Sequence, residues 1–301
     1  MTKVALPNCS NLPDWEVDDY PFHRALEALD IEWSRPVWDD PSVDWSSFDG
    51  ILIRTTWDYQ EKEPAFVAWA QRASTTSRFF NPTDVITWNT KKTYLRDLEE
   101  AGARLTPTRW LNQGETIDIA ALMRELGWER GFLKPVVGAT ARETLRFVCD
   151  DKGLAQAQAH VERLLPYEAL MLQPYLQSVE TDGELSALYF DGEFSHGVRK
   201  VPVPGDYRVQ DDFGASDEPY TFTDGEVSAL GSILRALDTV LHSKFQQKEP
   251  LLYARVDVLR DGVGGLYLNE LELVEPSLFF RHSKESPGRL AQALKRRLSI
   301  D

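Results

Sequence analysis

The chain has 301 residues, of which 42% are hydrophobic and 27% are charged, as in an ordinary soluble globular protein. This length favours two or three lobes over one. The 33 basic and 48 acidic residues give a net charge of −15, which argues against a general binder of nucleic acids or anionic membranes. A local basic pocket is compatible with this charge.

The cysteine pattern and the hydropathy narrow the class of protein further. Cys9 and Cys149 lie far apart, with no CxxC spacing and no nearby histidine, so neither a zinc site nor a disulfide framework is indicated. The N-terminus lacks the long apolar segment of a signal peptide, and the chain has no apolar run of about 18 residues. We therefore expect a cytoplasmic protein without a membrane span.

The first part of the chain alternates apolar strands with a helical pattern. Strands are predicted at 3–6, 31–38 and 51–53, and helices at 20–29 and 64–73. This order predicts an open α/β lobe, in which ligands bind beyond the carboxyl ends of the strands. The segments 7–15 and 54–59 lie at such ends. Arg54 and Asp58 fit the two charged ends of a zwitterionic substrate, although an equally favoured alternative is that Trp57 and Tyr59 simply anchor the loop.

A capped helix is predicted next, over 89–102. Asn89 or Thr90 serves as its N-cap, and Gly102 ends it. Lys91 and Lys92 fall in its first turn, where the helix dipole disfavours cations. These lysines are either ligands for an anion or two ordinary exposed lysines.

Strands and helices alternate again in the middle of the chain. Strands are predicted at 107–111, 131–137, 145–149 and 168–176, and helices at 116–127 and 151–165. Lys134 stands inside the apolar strand 131–137, where a buried lysine needs a partner and a bound anion is one candidate. The small-residue loop 138–144, which contains Thr140, suits phosphate binding through its backbone N–H groups.

The last part of the chain contains two predicted hairpins. The first joins 184–190 to 193–203 through Asp191-Gly192, a strong turn signal. A long irregular loop is predicted over 204–219, and it carries Arg208. Helices are predicted from residue 223 to about 242 and over 287–298.

The second hairpin, 253–258 with 266–273, carries three acids. Strand alternation places Glu270 and Glu272 on one face, and pairing across the turn brings Asp257 beside them. Three such carboxylates repel one another unless a cation lies between them, and oxygen ligands without histidine or cysteine suit Mg²⁺ or Mn²⁺. Arg255 shares this face and either neutralises the acids or binds a phosphate. The alternative is an edge hairpin with a solvated acidic face.

The order of these motifs resembles that of ATP-grasp ligases. The motifs are a lysine-bearing helix start, FLKP on a strand, QPYL at a strand end and RVD followed by NELE on a hairpin, and they cover residues 89–277. The chain is most similar to the glutathione-synthetase-like branch, which includes small peptide ligases and the cycloserine-forming type. The resemblance implies an α/β protein of α+β lobes: an N-terminal substrate lobe at 1–88, a central lid lobe at 89–176 and a C-terminal lobe with a metal site at 177–301.

The resemblance also implies a role for individual residues. Those that would bind ATP are Lys92 and Lys134 at the phosphates, Thr140 in the phosphate loop, Gln173, Tyr175 and Leu176 at the adenine, and Glu184 or Glu180 at the ribose. Those that would bind Mg²⁺, or alternatively Mn²⁺, are Asp257, Glu270 and Glu272. Arg255 and Arg208 would act in catalysis, and Arg54, Asp58 and Lys200 would contact the substrate.

The implied activity is an ATP-dependent carboxylate–amine ligase that acts on small amino-acid-like substrates through an acyl phosphate. One alternative keeps the ATP site and closes a ring within a single substrate, as the cycloserine-forming type does. Another is a nucleotide-binding module without turnover. Neither a nucleic acid nor a membrane is expected as a partner, and a homodimer is left open.

Overall fold

The computed structural model describes residues 2–12, 14–138, 141–210 and 213–299. The strands of this part of the chain form three sheets, and each sheet is built from a different third of the sequence. Residue 13 of the predicted loop 7–15, Thr140 and residues 211–212 of the predicted loop 204–219 lie outside the described residues. No helix in the described ranges is long and apolar enough to cross a bilayer.

The first sheet is parallel and confirms the predicted α/β lobe. Its order is β2-β1-β3-β4, with β1 at Lys3–Ala5, β2 at Glu32–Ser34, β3 at Gly50–Leu52 and β4 at Arg78–Phe80. Its helices are α1 at Tyr20–Glu27, α2 at Glu63–Ala73 and α3 at Thr83–Asn89. Trp38, Phe66 and Trp69 pack edge to face or tilted in its core. Helix α3 was not predicted from the sequence.

The second sheet is antiparallel, in the order β5-β8-β6-β7. Its strands are β5 at Arg109–Leu111, β6 at Arg130–Pro135, β7 at Leu145–Val148 and β8 at Leu170–Pro174. Helix α4 spans Tyr94–Glu100, α5 spans Ile119–Leu126 and α6 spans Asp151–Leu164. Helix α5 begins after Asp118, whose carboxylate accepts from the Ala121 amide at 2.8 Å, and ends at Gly127 with φ 67°.

The third sheet is also antiparallel, in the order β11-β10-β9-β12-β13. Its strands are β9 at Glu184–Phe190, β10 at Glu193–Val201, β11 at Ser216–Tyr220, β12 at Tyr253–Arg260 and β13 at Leu266–Glu272. Its helices are α7 at Ser178–Thr181, α8 at Asp224–Phe245 and α9 at Ser286–Leu298. Thr223 caps α8 in a capping box with Glu226, which confirms the predicted start of this helix.

The two faces of the third sheet have different partners. Odd residues of β9 and even residues of β12, such as Ala187 and Val256, pack beneath α8. On the opposite face, Leu188 and Phe190 pack against α1 and α9. Because side chains alternate along a strand, Glu184 of β9 and Asp257 of β12 also belong to this second face, beyond the end of the helical cover. Polar residues therefore face a space that the helices leave open.

A β-bulge in β13 adjusts this arrangement. Asp257 pairs with Glu270, but Val258 pairs with Leu268, so Asn269 is an extra residue in its strand. The bulge allows Leu268 and Leu271 both to pack beneath α8.

Two sequence-based predictions are wrong in detail. The helix predicted over 89–102 is shorter: only α4 forms, and it begins at Tyr94 rather than near Asn89, which is the last residue of α3. Lys92 precedes α4, and its backbone N–H donates to the Val136 carbonyl at 2.8 Å. The segment predicted as a loop over 204–219 ends in the edge strand β11, where Pro219 is tolerated because an edge strand has an unpaired side.

Candidate active site

A cavity of about 490 Å³ is lined by residues from all three parts of the chain. This volume lies within the roughly 300–1,000 Å³ of typical ligand pockets. Most residues predicted from the sequence line it, namely Asp58, Lys92, Lys134, Gln173, Tyr175, Leu176, Glu184, Lys200, Arg208, Arg255, Asp257, Glu270 and Glu272. The fold therefore brings together side chains that are spread over more than two hundred positions of the sequence.

Asp257 lies at the centre of the polar face of the third sheet and is 2% exposed. It accepts from the Ser186 hydroxyl at 2.6 Å, from the Arg255 guanidinium at 3.0 Å and from the Lys200 ammonium at 3.1 Å. Burial alone would raise the pKa of Asp257, but the two cations outweigh it and lower this pKa to about 2. Asp257 is therefore a carboxylate at neutral pH.

Lys200 is a buried cation that joins two acids. Its ammonium pairs with Glu184 and with Asp257, and these carboxylates raise its pKa against the opposing effect of burial. Glu184 also accepts from the Asn269 side-chain amide, at 2.5 Å, and burial raises its pKa. In this arrangement Lys200 neutralises acids within the protein, and Glu184, the predicted ribose ligand, is already engaged.

Lys92 and Lys134 approach the same carboxylate from different elements. The Lys92 ammonium lies 3.3 Å from Glu270 and donates to the Gly138 carbonyl at 2.8 Å. The Lys134 ammonium is 3.4 Å from Glu270 and 3.3 Å from Asn269, and burial lowers its pKa. The two lysines thus face one another across Glu270, a suitable arrangement for an anion with several negative charges.

Lys91 behaves differently from its neighbour. Its side chain is 54% exposed, and its ammonium is 3.7 Å from Glu63, away from the Glu270 cluster. Of the two lysines singled out by the sequence, Lys91 is therefore an exposed surface residue and Lys92 faces the cavity.

Arg255 and Glu272 pair across β12 and β13, as their register requires. Burial and the nearby Asp257 raise the pKa of Glu272 to about 7, although Arg255 opposes this rise. The site therefore holds more acid than its own cations neutralise, and it is suited to a further cation.

The acids do not form a ready-made metal cage. Within the described residues, no three histidine, cysteine, aspartate or glutamate side chains are grouped so as to hold a metal ion. Asp257 and Glu270 do lie directly opposite each other, with Glu272 on the same strand as Glu270. Mg²⁺ commonly binds one or two carboxylates and takes its remaining ligands from phosphates and water. The donor set therefore fits a magnesium ion that arrives with a nucleotide.

The other end of the cavity is aromatic. Phe132 lies edge to face with Tyr207 at 5.3 Å, and Tyr175 lies 6.3 Å from Tyr207. The Gln173 amide nitrogen donates to the Thr108 hydroxyl at 2.8 Å, which leaves its side-chain oxygen as an acceptor. This combination suits a flat heterocycle with an exocyclic amino group.

Glu180 and Arg208, two other predicted site residues, have partners within the protein. Glu180 accepts from Arg146 at 2.6 Å and from the Tyr175 hydroxyl at 2.5 Å, and it is not among the residues that line the cavity. Arg208 does line it, but its guanidinium binds both carboxylate oxygens of Asp206 and lies 3.9 Å above the Phe213 ring. Thr140, the predicted phosphate-loop residue, lies outside the described part of the chain.

The structure corrects the prediction for Arg54. This residue is 1% exposed and does not line the cavity. Its guanidinium binds Asp19 at 2.8 Å and 3.0 Å and donates twice to the Pro276 carbonyl at 3.1 Å. Arg54 is therefore a structural residue rather than a substrate ligand. Asp58 lines the cavity, where it accepts from the Trp38 indole at 2.8 Å.

Several cavity residues were missed by sequence reasoning, among them Phe132, Tyr207, Asn269 and Glu275. Asn269 reaches the site because of the bulge in β13, for which the sequence carries no signal. Glu275 lines the cavity just after β13, and the available signal was an acid directly before a proline at a strand exit.

Comparisons with known proteins agree over the whole chain. Residues 4–81 match the family model described as the N-terminal domain of the D-cycloserine synthetase DcsG. The cycloserine biosynthesis protein DcsG of Streptomyces lavendulae is 32% identical over 98% of this chain and 96% of its own length. The crystal structure of D-cycloserine synthetase DcsG superposes with a TM-score of 0.88 at 28% identity and covers 99% of this chain and 100% of that one.

More distant structures share the fold. D-alanine–D-alanine ligase from Bacillus anthracis, solved with ATP, gives a TM-score of 0.68 at 14% identity and covers 99% of this chain and 97% of its own. Because the identity is low, this likeness is evidence for the architecture alone. It confirms the predicted mixed α/β fold class.

Proposed function

The chain belongs to the family of the D-cycloserine synthetase DcsG among the ATP-grasp ligases, and we propose that it closes a ring within one amino-acid-like substrate. It is an ATP-dependent ligase that forms carbon–nitrogen bonds. The observation that carries the proposal is the match of residues 4–81 to the N-terminal domain of DcsG. That lobe is predicted to contact the substrate, and it is the part in which ligases of one fold are free to differ.

We propose that the aromatic end of the cavity binds the adenine of ATP. The Gln173 oxygen would accept from the exocyclic amino group, and the rings of Phe132 and Tyr207 would enclose the base. The phosphates would then extend toward Lys92 and Lys134, whose ammonium groups already converge on Glu270. Binding of the phosphates would give these lysines stronger partners than a single carboxylate 3.3–3.4 Å away.

We expect the acids of the third sheet to hold a magnesium ion. Asp257 and Glu270, with Glu272 beside them, would bind it, and it would supply positive charge for the phosphoryl transfer. Burial and the charge of Asp257 raise the pKa of Glu272 to about 7, and a cation beside Glu272 would favour its ionised form.

The first chemical step would be attack by a carboxylate oxygen of the substrate on the γ-phosphorus of ATP. The bond from that phosphorus to the bridging oxygen breaks, ADP leaves, and an acyl phosphate forms. Lys92 and Lys134 would hold the transferred group in line, and Arg255 would face the acyl oxygen.

The second step would form the carbon–nitrogen bond. A neutral nitrogen at the other end of the same substrate attacks the acyl carbon, the carbon–oxygen bond to phosphate breaks, and the nitrogen loses a proton to water or phosphate. Arg255, held by Asp257 and Glu272, would stabilise the oxyanion of the tetrahedral intermediate. Water must be kept out during this step, because it hydrolyses acyl phosphates.

The proposal is tested with one substrate and no added amine. Opening the ring amide of cycloserine gives β-(aminooxy)alanine, which carries both the carboxylate and the attacking nitrogen. Incubation with MgATP should release ADP and phosphate and yield the cyclic product, as seen by mass spectrometry. ADP release that requires a separate amine, and that gives a linear amide, would show that the ligase joins two molecules instead.

A further inference from the structure

Glu275 is a buried acid that the steps above do not use. It lines the cavity and is 9% exposed. Apart from its own backbone amide, no described residue donates a hydrogen bond to its carboxyl oxygens, whereas Asp257, Glu270 and Glu272 all have cationic partners. A buried carboxyl whose only described donor is its own backbone amide is unfavourable, and a bound ligand could supply the further partner.

The backbone around Glu275 is held by an unusual set of donors. Four successive carbonyl groups, those of residues 274–277, each accept a side-chain hydrogen bond from a different residue. The donors, in order, are the Tyr253 hydroxyl at 2.7 Å, the Trp57 indole at 3.1 Å, the Arg54 guanidinium at 3.1 Å and the Arg255 guanidinium at 3.1 Å. This clamp fixes the segment rigidly and leaves the Glu275 side chain unpaired in the cavity.

The surroundings of Glu275 locate it at the substrate end. Trp57 and Tyr59 of the first lobe line the same cavity, and the charge of Glu275, after burial, contributes to raising the pKa of Tyr59. On its other side the charges of Glu272, Arg255 and Lys92 act on it. Glu275 therefore lies between the first lobe and the phosphoryl-transfer site, away from the aromatic end that suits adenine.

Burial and the neighbouring charge of Glu272 raise the pKa of Glu275 well above its usual value. A carboxyl in this state is ready to ionise when a cation binds beside it, because the cation supplies the missing partner. The cations that the protein itself has nearby are committed elsewhere, Arg255 to Asp257 and Glu272, and Lys92 to Glu270.

We propose that Glu275 binds the α-amino group of the substrate as an ammonium and thereby selects amino acids over acids that lack this group. The attacking nitrogen must keep a free lone pair, so the ammonium at Glu275 belongs to a second nitrogen that takes no part in bond formation. The ring closure in which this selection would operate rests on the proposed function. Binding of an ammonium group at Glu275 does not rest on it.

Selectivity is the readout that separates this role from a structural one. β-(Aminooxy)alanine and 3-(aminooxy)propanoate share the carboxylate and the attacking nitrogen, and only the first has an α-amino group. Wild-type protein should show a kcat/KM about 10- to 100-fold higher for the first, mainly through KM, as expected for hydrogen bonds to a charged group. Glu275→Gln should turn over both compounds with similar efficiency, and Glu275→Asp should retain part of the preference.

A matched control is available on the same lobe. Glu285 is exposed and lies ten residues further on, so Glu285→Gln removes the same charge away from the cavity and should keep the wild-type preference. Glu275→Gln should also unfold at the wild-type temperature or higher, since it removes an unpaired buried acid. A Glu275→Gln protein that still prefers the amino compound by the wild-type factor overturns the proposal.

A second experiment measures ligand binding and does not depend on catalytic turnover. D-serinamide carries an ammonium and no carboxylate, and its binding to the full-length protein is measured by calorimetry in the presence of a non-hydrolysable ATP analogue and Mg²⁺. Binding should weaken about 10- to 100-fold in Glu275→Gln and be unchanged in Glu285→Gln. Absence of binding to the wild type, or equal binding by Glu275→Gln, overturns the amine site whatever the ligase assay shows. Loss of binding in Glu275→Gln without any ligase activity in the wild type would retain the amine site and remove the proposed reaction.

Discussion

Replacing Arg54 by methionine tests whether this buried residue of the first lobe fixes the position of the backbone next to the cavity. Arg54 is 1% exposed and Asp19 is 5% exposed, and the two form a bidentate pair. Arg54→Met removes this pair and both hydrogen bonds to the Pro276 carbonyl, and it leaves the Asp19 charge buried without its partner.

The magnitude follows from burial. Breaking a buried ion pair by removing one partner costs about 3–5 kcal/mol, whereas the partly exposed pair of Arg35 with Glu16 contributes at most about 1 kcal/mol. Arg54→Met should therefore lower the free energy of unfolding by about 3–5 kcal/mol. The double variant Arg54→Met/Asp19→Asn also removes the unpaired carboxylate of Asp19. It should regain about half of the lost free energy of unfolding.

The assay is urea unfolding of Arg54→Met and of the double variant with Asp19→Asn, with Arg35→Met as the matched control for a lost arginine, followed by substrate kinetics. Activity of Arg54→Met below its unfolding midpoint should fall through looser positioning of residues 275–277. If Arg54→Met were as stable as the wild type and lost only substrate affinity, the buried-anchor account would be refuted. The residue would then be the substrate ligand that the sequence first suggested.

Three further perturbations follow from the site and its surroundings. Glu270→Gln should lower kcat about 100-fold or more and shift the Mg²⁺ requirement upward, measured as ADP release over a magnesium titration; unchanged activity at limiting Mg²⁺ would contradict the metal assignment. Lys134→Met should weaken ATP binding about 10-fold or more in calorimetry without loss of stability, because its nearest acceptors are 3.3 Å and 3.4 Å away and burial already lowers its pKa; a large drop in Tm with unchanged ATP affinity would contradict this. Burial lowers the pKa of His23 to about 4 despite the opposing charge of Asp19. Since the unfolded histidine titrates near 6.5, stability should fall by about 3 kcal/mol as pH falls from 6.5 to 4, and His23→Phe should remove this loss.

The hairpin of β12 and β13 shows which features of the site can be predicted from the sequence alone. Period-two alternation and a short turn are local properties, and they correctly placed Asp257 opposite Glu270 with Arg255 on the same face. The extra residue at Asn269 was not predictable, because a bulge shifts the register by one residue without changing the local pattern.

Arg54 and Glu275 show what the sequence could not supply. The local sequence around an arginine after a strand is the same whether its side chain contacts a ligand or a buried aspartate. The partner of Arg54, Asp19, lies 35 positions away in the sequence. From the sequence alone, Glu275 cannot be distinguished from the other acidic residues of this acidic chain. Its significance comes from its place in a segment, residues 274–277, whose four carbonyl groups accept from donors that tertiary packing brings together. Local propensity also failed to predict the start of α4, which begins only at Tyr94, after the backbone N–H of Lys92 has bonded to the Val136 carbonyl.

In the proposed reaction, ATP activates a substrate carboxylate as an acyl phosphate before the carbon–nitrogen bond forms. The direct test uses β-(aminooxy)alanine with both carboxyl oxygens labelled as ¹⁸O, MgATP and no other amine. Each turnover should then transfer one labelled oxygen to inorganic phosphate and leave the other in the ring amide, as measured by mass spectrometry of both products. Inorganic phosphate without label, or the formation of AMP and pyrophosphate in place of ADP, would contradict the account.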